Sequence, residues 1–113
     1  MKFKFEKQLR IIEDLMTYCH FLGSHDMNVD LKATEGASHF IIRAHIPQVS
    51  SQVLDEIRLE LNRPRQQEVE QNYWGLTSEA ETDFSLMLVG VMVDESQVDY
   101  NDGILTIHTI RYD

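Results

Sequence analysis

Five histidines and a single cysteine are the side chains here whose types suit metal ligation or nucleophilic chemistry. Their spacing decides what they can do together. His39 and His45 share one face of a predicted strand but lie six residues apart, about 20 Å along an extended chain, too far to hold one ion. His20 and His25 straddle a predicted helix end without ligand spacing, and His108 belongs to a hairpin at the far end of the chain. No metal site is expected. His20, near a helix end, invites a reading as a phosphorylated histidine; the simpler account is an imidazole meeting the dipole of its own C-terminus. Cys19 falls on an apolar helical face, where a small buried hydrophobe is expected rather than a nucleophile. As the only cysteine it forms no disulfide and no thiolate cage. There is no nucleophile elbow and no glycine-rich phosphate loop, so no residue is assigned a catalytic role.

The bulk composition narrows the classes further. A chain of 113 residues with 42% hydrophobic content has room for one core, so residues 1–113 are expected to form a single domain. The net charge of −9 argues against nucleic acid and anionic membrane as partners, because both are bound mainly through Lys and Arg. The basic start MKFKFEKQ leads into no continuous apolar run, so it does not read as a signal peptide. Nothing approaches a run of about eighteen apolar residues, so no membrane span is expected, and the default location is the cytoplasm.

The elements that must position these residues are read from hydrophobic period. Residues 3–22 predict a helix, with Phe5, Leu9, Ile12, Met16 and Cys19 as its apolar stripe, Leu15 and Leu22 beside them, and Lys7, Arg10, Glu13 and Asp14 on other faces. Gly23 is its stop. Met27 to Lys32 alternates strictly and predicts a half-buried strand. His39 to Ile46 predicts a second strand, with Phe40, Ile42, Ala44 and Ile46 on one side and His39, Ile41, Arg43 and His45 on the other; Pro47 ends it. The latter side is expected opposite the helices, as a mixed apolar and polar face. Ser50 or Ser51 caps a second helix bearing Val53, Leu54, Ile57 and Leu61. From 62 to 77 the chain is polar and aperiodic and contains Tyr73-Trp74-Gly75, the composition of a lid or binding loop. A third helix follows, with Phe84, Leu88, Val91 and Met92 on one face and Leu86, Val89 and Val93 widening it. Asn101-Asp102-Gly103 then turns a hairpin. The expected architecture is α+β: a two-layer sandwich with a four-stranded mixed sheet and about three helices on one face.

This order and its residues resemble the histidine-kinase-like ATPase (GHKL) fold shared by sensor kinase catalytic domains, gyrase and anti-sigma kinases, over almost the whole chain. The family's asparagine box, Asn-Leu-Leu-x-Asn-Ala, is matched by Asp14-Leu15-Met16-Thr17-Tyr18-Cys19. Its Asp-x-Gly-x-Gly-Ile box is matched by Ala44-His45-Ile46-Pro47-Gln48-Val49, and its Gly-Leu-Gly-Leu box by Asp83-Phe84-Ser85-Leu86. The apolar skeleton agrees and the chemistry departs. Tyr18 stands where the resemblance implies a Mg²⁺-ligating asparagine, and a neutral phenol is a poor ligand for that hard cation. Ala44 stands where an aspartate would accept from the adenine amino group. Losing a hydrogen bond to a charged group costs about 1.5–3 kcal/mol, roughly ten- to two-hundred-fold in affinity. Ile46, Gln48, Asp83 and Ser85 replace glycines that let backbone approach the nucleotide.

The resemblance therefore implies a degenerate pocket at Asp14, Tyr18, Ala44, Ile46, Gln48, Gly75, Asp83 and Ser85, holding no cofactor. The expected function is a non-catalytic regulatory or protein-interaction domain, a pseudo-ATPase of signal transduction, that docks a protein partner. A second copy of the chain, met through Phe3 and Phe5, is one such partner. The alternative is a divergent sensor histidine kinase or anti-sigma kinase domain that binds ATP with Mg²⁺, with Asp14 helping to hold the metal and the 62–77 loop as lid. A phosphotransfer adaptor is a third reading, and it would require a phosphorylatable histidine on a bundle helix.

Overall fold

Two tight hairpins build the sheet. In the computed structural model, which describes residues 4–62 and 82–113, strands β1 (Met27–Thr34) and β2 (Ala37–His45) are joined through Glu35-Gly36, with Gly36 at φ +88°. Strands β3 (Glu95–Asn101) and β4 (Ile104–Tyr112) are joined by the two-residue turn Asp102-Gly103. Both turn residues have positive φ, 52° and 76°, which matches the right-handed twist of the flanking strands and fixes their register. The strand order is β1-β2-β4-β3.

Every neighbouring pair is antiparallel, so the expected mixed sheet is corrected to a purely antiparallel one. The reason is topological. The long connection after β2 makes β3 run parallel to β2, as a crossover does. Strand β4 then returns between them, so the parallel strands never touch.

Three helices are described: α1 (Lys4–Phe21), α2 (Ser51–Leu61) and α3 (Thr82–Met92). All pack on one face of the sheet, and α3 contacts both α1 and α2. Such a central helix has little solvent-facing surface, and Leu86, Leu88, Val89, Val91 and Met92 are all buried. The side chains of 82–85, Phe84 among them, lie outside the described residues. The core joins Leu86, Val89, Val91 and Met92 to Ile11, Leu15, Phe40, Ile42, Ile57, Leu61, Leu105 and Ile107. Gly90 of α3 sits directly against the backbone of α2 at Glu60. A Cβ there would collide with the backbone carbonyl oxygen of Glu60, so its missing side chain lets α2 and α3 meet backbone to backbone.

Local chemistry sets the helix ends. Ser50 caps α2, its hydroxyl accepting from the Val53 N–H at 3.1 Å. Helix α1 ends at Gly23, φ +103°, where Ser24 N–H donates to Cys19 O and Gly23 N–H to His20 O, a Schellman closure. The C-terminal end of α3 is capped from the sheet: buried Arg111 donates through Nη1 to Met92 O at 2.8 Å, a cation meeting the negative end of the helix.

Helix α1 departs from its predicted orientation. Its buried face runs Ile11, Leu15, Tyr18 and Cys19, whereas Phe5, Leu9 and Met16 are exposed and Ile12 is only partly covered. Two apolar stripes run along this helix, and burial chose the less continuous one. That choice carries Lys7, Gln8, Arg10 and Asp14 inside. Specific partners make their burial tolerable: Gln8 Nε2 donates to Ser38 Oγ at 2.8 Å and Arg10 Nε to Asp14 Oδ2 at 3.0 Å.

Candidate functional site

Helices α1, α2 and α3 enclose a cleft of about 310 Å³ lined by Tyr18, Phe21, Leu22, Val53, Glu56, Glu60 and Leu86. Tyr18 comes from the buried face of α1, and its ring lies 6.4 Å from that of Phe21, centroid to centroid. Val53, Glu56 and Glu60 project from α2 at 3- and 4-residue spacing, so two carboxylates edge the apolar floor. An acidic rim repels phosphate oxygens and accepts hydrogen bonds from cations and amines.

The positions matched to the nucleotide boxes do not converge on this cleft. Tyr18 lines it. Asp14, one turn earlier, is fully buried and paired with Arg10. Burial pushes the Asp14 carboxyl up from 3.8 to about 6, opposed by the hydrogen bond and charge of Arg10, with Glu13 adding a smaller upward push. Its Oδ1 has no hydrogen-bond partner among the described residues, an arrangement that suits a protonated carboxyl. Ala44 is fully buried in the core.

Ile46 follows β2 directly and is fixed against the β3–β4 turn. Its N–H donates to Gly103 O at 2.8 Å, and its carbonyl accepts from the Tyr100 hydroxyl at 2.6 Å. It borders a separate cleft of about 380 Å³ with His25, Asp26, His45 and Pro47. Gln48 is exposed. Gly75 and the 63–77 part of the expected loop, with Tyr73 and Trp74, lie outside the described residues, as do Phe3 and the side chains of Asp83 and Ser85.

The open face of the sheet brings together two residues that sequence spacing kept apart. The β2–β4 register pairs Ile41 with His108 and His39 with Ile110, which sets His39 and His108 on one diagonal of the same face. His39 Nδ1 lies 3.1 Å from His108 Nε2, with ring centroids 5.4 Å apart and planes tilted by 40°. Burial first, and then the charge His39 can carry, lower the His108 pKa below its ordinary 6.5. The histidines are separated by 69 residues, and only the pairing of β2 with β4 reveals their contact. His20 and His25 also meet, edge to face, at 5.7 Å between centroids. Among the described residues no cluster of three or more His, Cys, Asp or Glu side chains is arranged to hold a metal ion.

Cys19 is buried as a free thiol, and burial pushes its pKa up to about 12. At neutral pH it carries no thiolate and serves as core. No family model matches this chain, and neither a curated protein nor a solved structure does so.

Proposed function

We propose that this chain is a non-catalytic regulatory or protein-interaction domain of signal transduction, built on a degenerate histidine-kinase-like ATPase fold and acting in the cytoplasm. The element order and closing hairpin that carried the resemblance support the fold reading. The observation that carries the functional one is the state of α1. Its inward polar residues at the asparagine-box positions are turned to internal use, with Asp14 paired to Arg10 in the interior and Tyr18 packed near Phe21 at the cleft.

The outward face of α1 is the docking surface. Phe5, Leu9 and Met16 are 58%, 47% and 40% exposed, and with the partly covered Ile12 they follow the 4, 3, 4 spacing of a helix that pairs with another helix. The partner is a protein, and a second copy of the chain meets the same requirement. The net charge of −9 disfavours nucleic acid, and no described helix is long and apolar enough to cross a membrane.

Calorimetric titration with ATP and ADP in the presence of Mg²⁺ tests the reading. No heat and no thermal shift are expected. A dissociation constant in the low micromolar range would overturn it in favour of a divergent kinase domain that takes ATP with Mg²⁺.

A further inference from the structure

We propose that His39 and His108 form a two-histidine chelate for a late first-row divalent metal ion on the open face of the sheet. Neutral imidazole nitrogens suit Zn²⁺, Ni²⁺ and Cu²⁺, with affinity rising toward copper. Two nitrogens each about 2.0–2.1 Å from a zinc ion, at angles between square and tetrahedral, stand roughly 2.9–3.4 Å apart. The observed separation of 3.1 Å falls in this interval. The strands hold it there: His39 and His108 sit on the two central strands of the sheet, and ladder pairs at Ile41↔His108 and His39↔Ile110 fix their backbones.

The ion replaces a proton. In the free protein one of the two facing nitrogens carries a hydrogen and the other accepts it. On binding, that ring releases this hydrogen and is protonated instead at its other nitrogen, the usual tautomer exchange through solvent. Both facing nitrogens then offer lone pairs, and a modest turn of each ring aims them at one point. Gln97 stands directly opposite His108 on β3, so its side-chain carbonyl is within reach as a third, weaker oxygen donor. Water completes the shell, because no described helix covers this face.

The chelate ties β2 to β4 across 69 residues of chain, so the ion binds the folded state and raises its melting temperature. The test is calorimetry and thermal shift with ZnCl₂ and, separately, NiCl₂ on the full chain, read beside the imidazole proton signals in NMR. One ion per chain is expected, with the His39 and His108 resonances moving. His39→Ala and His108→Ala should each weaken binding at least about tenfold, since one imidazole lacks the effective concentration of the pair. His39→Gln and His108→Gln, which preserve a polar contact across the strands, should fail to bind in the same way while remaining folded by circular dichroism. His20→Ala/His25→Ala should bind as the unaltered chain does. Binding that survives in the His39 and His108 variants, binding abolished by the His20/His25 pair alone, or no heat at millimolar metal would each overturn the proposal.

Discussion

Arg10 Nε and Asp14 Oδ2 meet at 3.0 Å on one turn of α1, with the two side chains only 7% and 0% exposed. An ion pair taken out of water this completely loses solvation that its mutual attraction offsets only in part. The carboxyl records the difference, because its pKa rises to about 6 despite the adjacent guanidinium.

That rise fixes the sign of a pH effect. The folded chain holds the Asp14 proton more tightly than the unfolded chain, whose carboxyl titrates near 3.8. The stabilisation is therefore full below pH 3.8 and is lost as the pH rises through about 6. The interval corresponds to about 3 kcal/mol. Asp14→Asn keeps an oxygen acceptor for Arg10 but does not titrate. Urea unfolding from pH 4 to 7 should show the unaltered chain losing about 2 kcal/mol relative to the variant; parallel curves would refute the assignment.

The exposed stripe of α1 predicts self-association. Size-exclusion chromatography with light scattering should give a dimer mass for the unaltered chain at tens of micromolar. Phe5→Asp and Leu9→Asp should give monomers. Both side chains are about half exposed or more in the single chain, so the monomers should unfold within about 0.5 kcal/mol of the parent. A monomer at every concentration would remove the second copy from the candidate partners.

Gly90→Ala should be disproportionately harmful for one methyl group. The new Cβ would overlap the Glu60 carbonyl oxygen, which is backbone and has no rotamer to yield. The two helices must separate, at a cost of about 1–3 kcal/mol or more. A fall in melting temperature of several degrees is expected, whereas Gly36→Ala, with open space around it but φ of +88°, should cost only its backbone strain. Equal melting temperatures for Gly90→Ala and the parent would mean that α2 and α3 are not in backbone contact.

Cys19 should resist thiol reagents. A thiol fully buried with its pKa near 12 offers neither access nor thiolate at pH 8. Labelling by a maleimide or an aromatic disulfide should proceed at the rate of unfolding and become fast only in denaturant. Rapid labelling of the folded chain would show that the C-terminal end of α1 opens locally.

Residue by residue, the sequence determined every element governed by local chemistry. The hairpin at Asp102-Gly103 follows from a need for positive φ that few residues meet. A serine cap at 50 or 51 follows from a hydroxyl beside unpaired helix N–H groups, with the structure choosing Ser50, and the end of α1 follows from Gly23. The alternation of β2 also foretold its faces, with Phe40, Ile42 and Ala44 inward and His39, Ile41, Arg43 and His45 outward.

Tertiary structure alone decided three other things. It chose between the two apolar stripes of α1, because the choice depends on what stands opposite, such as Ser38 of β2 accepting from Gln8, and period does not register partners. It made the sheet antiparallel throughout, because β4 returns between β2 and β3, and the place of a strand in a sheet is a long-range contact. It set His39 against His108 and scattered Asp14, Ala44 and Ile46 over the core and a second cleft. Helical and strand periods report which side of one element meets the core; what stands on the other side of that contact is settled only when the elements pack.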